Sequence, residues 1–247
     1  VSYLLPEWFF EFLRRIVRAK REDFFLMGEV IHIQNFAKNL TPDRLDSITN
    51  YECYKGLTSA LNSDNLFEIE HSLSRLFGQE QWCLYTGKNL FSFADNHDVP
   101  RAYTAVADKR KLPALYAILY SMPGIPCVYY GSEYGAEGNK GNFDLDLRPY
   151  IGNIDENKCP ALTALIRKLN EVRRSERALA YGSFERCVLS NKYMCFKREH
   201  AGERIYCAFN ISDGDVTVRV EECEGTDLLT GEVRNLNDIY LPPFAVK

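Results

Sequence analysis

Two stretches of this 247-residue chain place acidic groups where they can do acid–base work. Glu29 closes the apolar run Phe24-Phe25-Leu26-Met27-Gly28, and strand alternation puts it on one face with Phe25 and Met27. Apolar surroundings raise a carboxyl pKa and keep the group protonated, as a general acid requires. The plain alternative is a solvated glutamate at a strand end. The second stretch is Asp95-Asn96-His97-Asp98, directly after Phe91-Ser92-Phe93-Ala94. Imidazole and carboxylates in succession suit sugar hydroxyls and can face a developing positive charge. Here the alternative is a polar turn with Asx capping. Asp98 lies 69 positions beyond Glu29, room for two strand–helix units of roughly 30–35 residues each. Both groups therefore reach the same mouth of a parallel barrel, at the carboxyl ends of its strands.

The elements that must position them follow from periodicity. Leu5, Trp8, Phe9, Phe12, Leu13, Ile16 and Val17 step by three and four, one face of an amphipathic helix with Pro6 in its first turn. Its aromatics fit packing of helix on barrel. Strands are predicted at Asp23–Val30, Leu45–Thr49, Leu90–Ala94 and Ile125–Tyr130, and helices at Leu66–Phe77, Leu112–Tyr120 and Leu162–Val172. Strands alternating with helices imply parallel βαβ units. From Ala180 the pattern changes. Lys192–Lys197, Arg204–Asn210 and Val216–Glu221 alternate with period two, with turns at Ser212-Asp213-Gly214 and Thr230-Gly231. The predicted division is residues 1–178, α/β, and 179–247, a small antiparallel β domain.

Composition narrows the class. The chain is 46% hydrophobic, 26% charged and 13% aromatic, an ordinary globular balance with enough apolar residues for a large core. A net charge of -4 gives no basic surplus for nucleic acid, and no apolar run approaches the ~18 residues of a membrane span. The eight cysteines form no C-x-x-C pair, so no metal site is implied; free thiols point to a reducing, cytoplasmic compartment. The chain begins at Val1 without a signal peptide, which says nothing of a longer parent.

Phe-Ala-Asp-Asn-His-Asp (93–98), Met-Pro-Gly-Ile-Pro (122–126) with Val-Tyr-Tyr-Gly-Ser-Glu (128–133), and Leu-Met-Gly-Glu-Val (26–30) resemble, in this order, the α-amylase family of glycoside hydrolases, most closely its maltodextrin- and cyclomaltodextrin-hydrolysing branch. The resemblance implies the C-terminal half of a (β/α)8 TIM barrel, strands five to eight, followed by a small antiparallel β-sandwich domain. It implies Glu29 as general acid/base and Asp98 as the carboxylate that stabilises the transition state. His97, Asp144 and Arg148 would hold the same glucose unit, with Arg101 and His32 as weaker substrate-binding candidates. The expected partner is an α-glucan oligosaccharide. No cofactor is implied, and a calcium site in the missing N-terminal half stays open.

One departure bears on mechanism. In this family an Arg-x-Asp triplet ends strand four and supplies the nucleophile, just before the helix that begins here near Pro6. No such triplet is read anywhere in this chain, so the N-terminal half with its nucleophilic Asp is expected to be absent. Retaining hydrolysis needs two carboxyls ~5–5.5 Å apart, one attacking and one protonating. Three readings follow: part of a retaining α-1,4-glucan hydrolase, a non-catalytic barrel relative serving as a binding or accessory subunit, and a transglycosylase on the same chemistry. The 247 residues alone are expected to be inactive.

Overall fold

Four short parallel strands carry the first part of the molecule, and their order in space is their order in the chain. A computed structural model describes residues 2–31, 36–141, 143–222 and 224–247. β1 (Met27–Gly28) pairs with β2 (Ser47–Ile48), Met27 opposite Ser47. Thr49, just beyond β2, bridges in parallel to Phe91 of β3 (Phe91–Phe93), and β3 pairs with β4 (Ile125–Cys127). Helices fill the connections: α1 (Glu7–Lys20) before β1, α2 (Tyr51–Ser63) and α3 (Phe67–Phe77) after β2, then α4 (Ala102–Ala105) and α5 (Leu112–Ser121) before β4. After β4 a long segment of turns leads to α6 (Pro160–Ser175) and α7 (Arg177–Tyr181).

The strands are shorter than the apolar runs predicted, and side chains explain two of the ends. Ahead of β1, the Leu26 amide donates to Asp46 Oδ2 at 2.7 Å; beyond it, the Val30 amide donates to Thr49 Oγ1 at 2.8 Å. Carboxylate and hydroxyl thus take over where the ladder stops. Pro126 in β4 has no amide to donate and faces a side that no described strand pairs. The Pro123-Gly124 turn before it needs glycine: Gly124 has φ +116°, and a Cβ there would lie 2.5 Å from the Leu90 carbonyl oxygen.

α2 was not anticipated. Its buried positions, Tyr51, Cys53, Gly56, Leu57, Ala60 and Leu61, do repeat with helical spacing, but Gly56 and the Tyr54-Lys55 pair between them blur an apolar stripe. The Asn50 side chain caps it by accepting from the Cys53 amide at 3.1 Å. α5 is apolar on nearly every side and buried at every position but Pro113, as a helix covered on all sides must be.

α1 departs from expectation. Phe10 and Arg14 turn inward, while Trp8 (64% exposed) and Phe12 (45%) point away from the described core. Arg14 is held there by the Asp46 carboxylate at 2.8 Å and the Arg44 carbonyl at 2.7 Å. Phe24, Phe25 and Met27 are exposed beside it, so one flank of the parallel sheet shows a band of apolar side chains.

From Ser183 the chain is antiparallel. β5 (Ser183–Leu189), β6 (Tyr193–His200) and β7 (Glu203–Asn210) form a meander with a bulge between Arg186 and Val188. Alternation gives the sheet two buried faces. Met194, Phe196, Cys207 and Phe209 join the core of α2, α3, α5 and α6. Cys195 and Ala208 pack with Val218 of β8 (Val216–Val218) and Ile239 and Leu241 of β11 (Ile239–Leu241), which pair with each other. The hairpin of β9 (Glu224–Thr226) and β10 (Val233–Asn235) turns at the expected Thr230-Gly231, although neither strand was anticipated. The seven described cysteines are all free, and no described helix is long and apolar enough to cross a membrane.

Candidate active site

β1, β2 and β3 all deliver their carboxyl ends to one mouth. Glu29 follows β1, half-buried, with its carbonyl accepting from the Ser2 amide at 2.9 Å. The loop after β3 carries Asp95 to Asp98. Donor atoms of Glu29, His97 and Asp98 all lie within 4.8 Å of one another, so an acid, an imidazole and a second carboxylate from two loops meet at a single point.

Asp98 is held from two sides. His97 Nε2 is 3.3 Å from its Oδ2, and Arg148 Nη2 donates to its Oδ1 at 3.2 Å. Arg148 Nε also donates to the His97 carbonyl at 3.2 Å. The guanidinium therefore fixes both the carboxylate and the backbone that bears it. The cluster has donors of the kind that hold divalent metals, and here the two Asp98 oxygens contact His97 and Arg148.

Four of the seven predicted site residues thus converge: Glu29, His97, Asp98 and Arg148. Asp144 begins a 3-10 turn, Asp144–Asp146, on the same loop as Arg148, but its side chain and the whole of His32 lie outside the described residues. Arg101 is a correction. It is 0% exposed, with its Nε 3.4 Å from Asp95 Oδ2, and it donates to the Tyr130 carbonyl and, at 3.2 Å, to Ser132 Oγ. Its guanidinium lies over the Tyr129 ring at 4.4 Å. Neither a sugar contact nor a solvated first-turn arginine describes it. Arg101 ties the loop after β3 to the loop after β4 from beneath.

Asp95, its partner, also accepts from Ser132 Oγ at 2.7 Å and from the Ala102 amide at 2.8 Å. Burial pushes its carboxyl pKa up, against the pull of Arg101 and these donors. The first residue of the Asp95–Asp98 stretch is thus a buried anchor and the last an exposed functional group.

Sequence reasoning missed Thr49, Asn50 and Tyr51, which follow β2 directly. Tyr51 packs edge-on against Phe93 at 5.0 Å and accepts from Asn96 Nδ2 at 3.1 Å. Burial raises the Tyr51 hydroxyl pKa; Asn96 opposes this, and the nearby Glu29 and Asp98 carboxylates add to it. The reading that the chain lacks an Arg-x-Asp triplet is a second correction: it occurs twice, Arg21–Asp23 and Arg44–Asp46, though neither aspartate reaches the mouth. Asp23 is exposed and pairs with Arg21, and Asp46 sits at the amino end of β2, bound to Arg14. A cavity of ≈ 540 Å³ lies elsewhere, between α6 and β7, and is lined by none of the site residues.

Two carboxyl groups at the carboxyl ends of β1 and β3, one of them braced by an arginine, are an arrangement suited to a sugar-hydrolase type of barrel site. Residues 7–182 match the alpha amylase catalytic domain, and the chain belongs to the alpha-amylase family. A cyclomaltodextrinase of Thermoanaerobacter pseudethanolicus (strain ATCC 33223 / 39E) is 27% identical over 98% of this chain and 42% of its own length. A cyclomaltodextrin glucanotransferase of Bacillus sp. (strain 38-2) is 31% identical over 60% of this chain and 20% of its own length. Among solved structures, an Anoxybacillus alpha-amylase superposes with a TM-score of 0.76 at 25% identity, covering 98% of this chain and 55% of that one. The chain spans about half or less of the length of these relatives.

Proposed function

We propose that this chain is the acid-bearing part of a retaining glycoside hydrolase acting on α-1,4-glucans such as maltodextrins. The observation that carries the reading is the convergence of Glu29, His97 and Asp98 within 4.8 Å at one mouth. Four parallel strands in chain order, with apolar surface exposed on the flank of β1, support assigning them as strands five to eight of a (β/α)8 barrel, with residues 179–247 as the β-sandwich domain. The other four strands, with the nucleophilic aspartate, belong to the rest of the protein on this reading.

Glu29 protonates the glycosidic oxygen as the bond breaks, then, as a carboxylate, takes a proton from the water that releases the glycosyl-enzyme. Asp98, turned by Arg148 and His97, accepts hydrogen bonds from the sugar hydroxyls and places negative charge beside the oxocarbenium-like centre. His97 donates to the same sugar unit, and Asp144 reaches it from the Arg148 loop. The free thiols suit a cytoplasmic location. A transferase outcome rests on the same residues and is favoured by the cyclomaltodextrin glucanotransferases among the relatives. Proton NMR of maltotriose digestion by the full-length protein tests the reading. The first-formed product should carry the α-anomeric configuration; a β-anomer would exclude the covalent route.

A further inference from the structure

Three consecutive residues beyond β2 each grip a different part of the site. Thr49 Oγ1 accepts from the Val30 amide at 2.8 Å and donates to the Val30 carbonyl at 2.9 Å, closing both polar groups of the residue that follows Glu29. Its own amide donates to the Gly28 carbonyl at 3.1 Å, so Glu29 is clamped on both sides by one residue. The Asn50 amide donates to the Phe91 carbonyl at 2.8 Å, and its side chain donates to Ser92 Oγ at 3.1 Å. Tyr51 then holds Asn96, whose Oδ1 in turn accepts from the Asp98 amide at 2.8 Å. All three are buried.

We infer that Thr49 and Tyr51 are positioning residues, the two ends of a strut that sets the separation of Glu29 from Asp98. The inference rests on the proposed roles of those two carboxyl groups. Glu29 and Asp98 stand on loops of different strands, and among the described residues no ladder bond joins those loops directly. The path between them runs through β2: Glu29–Val30 to Thr49, along the backbone to Tyr51, and through Asn96 to Asp98. Asn50 pins the middle of this path to β3 and caps α2, so the strut cannot rotate without breaking the helix start. A β-branched hydroxyl at position 49 suits the clamp, because its Oγ must donate and accept at once while its methyl stays in the core. Valine keeps the shape and loses both bonds; serine keeps both bonds.

The role is that of a support for the reacting groups, where a small misplacement costs turnover far more than binding. In the full-length protein, Thr49→Val and Tyr51→Phe should each lower kcat on maltotriose by roughly ten- to a hundredfold with KM within about twofold. Thr49→Ser should stay within about threefold of the wild type. Hydrogen exchange read by mass spectrometry should show the peptide containing Val30 losing protection in Thr49→Val and keeping it in Thr49→Ser. Unchanged kcat in both hydroxyl deletions, or an equal loss in Thr49→Ser, would overturn the strut. Full activity in Glu29→Gln would overturn the reading of the site itself, a different result from either.

Discussion

Arg148 donates one hydrogen bond to the carboxylate of Asp98 and another to the carbonyl of His97, each at 3.2 Å, from a loop fifty residues away. One guanidinium thereby joins the loop after β3 to the long segment after β4 and orients the exposed carboxylate of the site.

Two bonds at that spacing need the planar fork of arginine, which lysine lacks. Arg148→Ala should therefore reduce kcat/KM of the full-length protein on maltotriose about tenfold to a hundredfold, and Arg148→Lys should recover little of it. Wild-type kinetics in Arg148→Lys would show that charge alone suffices.

Beneath this pair lies a second one with a structural effect. Arg101 and Asp95 are both buried, and removing the arginine leaves a carboxyl in the core without its counter-charge. Arg101→Met should cost about 3–5 kcal/mol in urea unfolding. Asp95 also gives a pH signature. Burial raises its pKa, so the folded state binds this proton more tightly than the unfolded state does. Its contribution is therefore fully present below the ordinary carboxylate value of 3.8 and is lost as pH rises through the raised folded value. Asp95→Asn should flatten that loss in Tm measured from pH 3.5 upward. An unchanged slope would assign the pH dependence to other groups.

How much of this was legible in the sequence differs from residue to residue. Glu29, His97 and Asp98 stood out because each lies in a short contiguous motif at the end of an apolar run. Arg101 was misread because nothing local shows that Tyr129, Tyr130 and Ser132 close over it. Thr49, Asn50 and Tyr51 were invisible for a related reason: their side-chain partners Val30, Ser92 and Asn96 lie 19, 42 and 45 positions away. The parallel strands were found but drawn too long, since an apolar run does not reveal that Asp46 and Thr49 take over at its ends. α1 kept its predicted amphipathic spacing, yet Trp8 and Phe12 face outward, because periodicity defines a stripe without naming what covers it.

That outward stripe makes its own prediction. Leu5, Trp8, Phe12 and Ile16 of the α1 region lie with Phe24, Phe25 and Met27 among the exposed large apolar residues, a band of the kind that drives association. The 247 residues expressed alone should self-associate by light scattering and leave maltotriose intact, and Trp8→Ser with Phe12→Ser should lower the associated fraction. A soluble monomer would mean that the band needs no cover.

The most direct test of the whole account is the turnover of Glu29→Gln in the full-length protein, on maltotriose and on an aryl α-maltoside whose leaving group needs no proton. Loss of a general acid should lower kcat on maltotriose by roughly 10²–10⁴-fold. Release of the aryl group should persist as a single-turnover burst, because that step needs no proton from Glu29, while the hydrolysis that follows lacks its base. Near-normal maltotriose hydrolysis by Glu29→Gln would contradict the assignment of Glu29 as the acid.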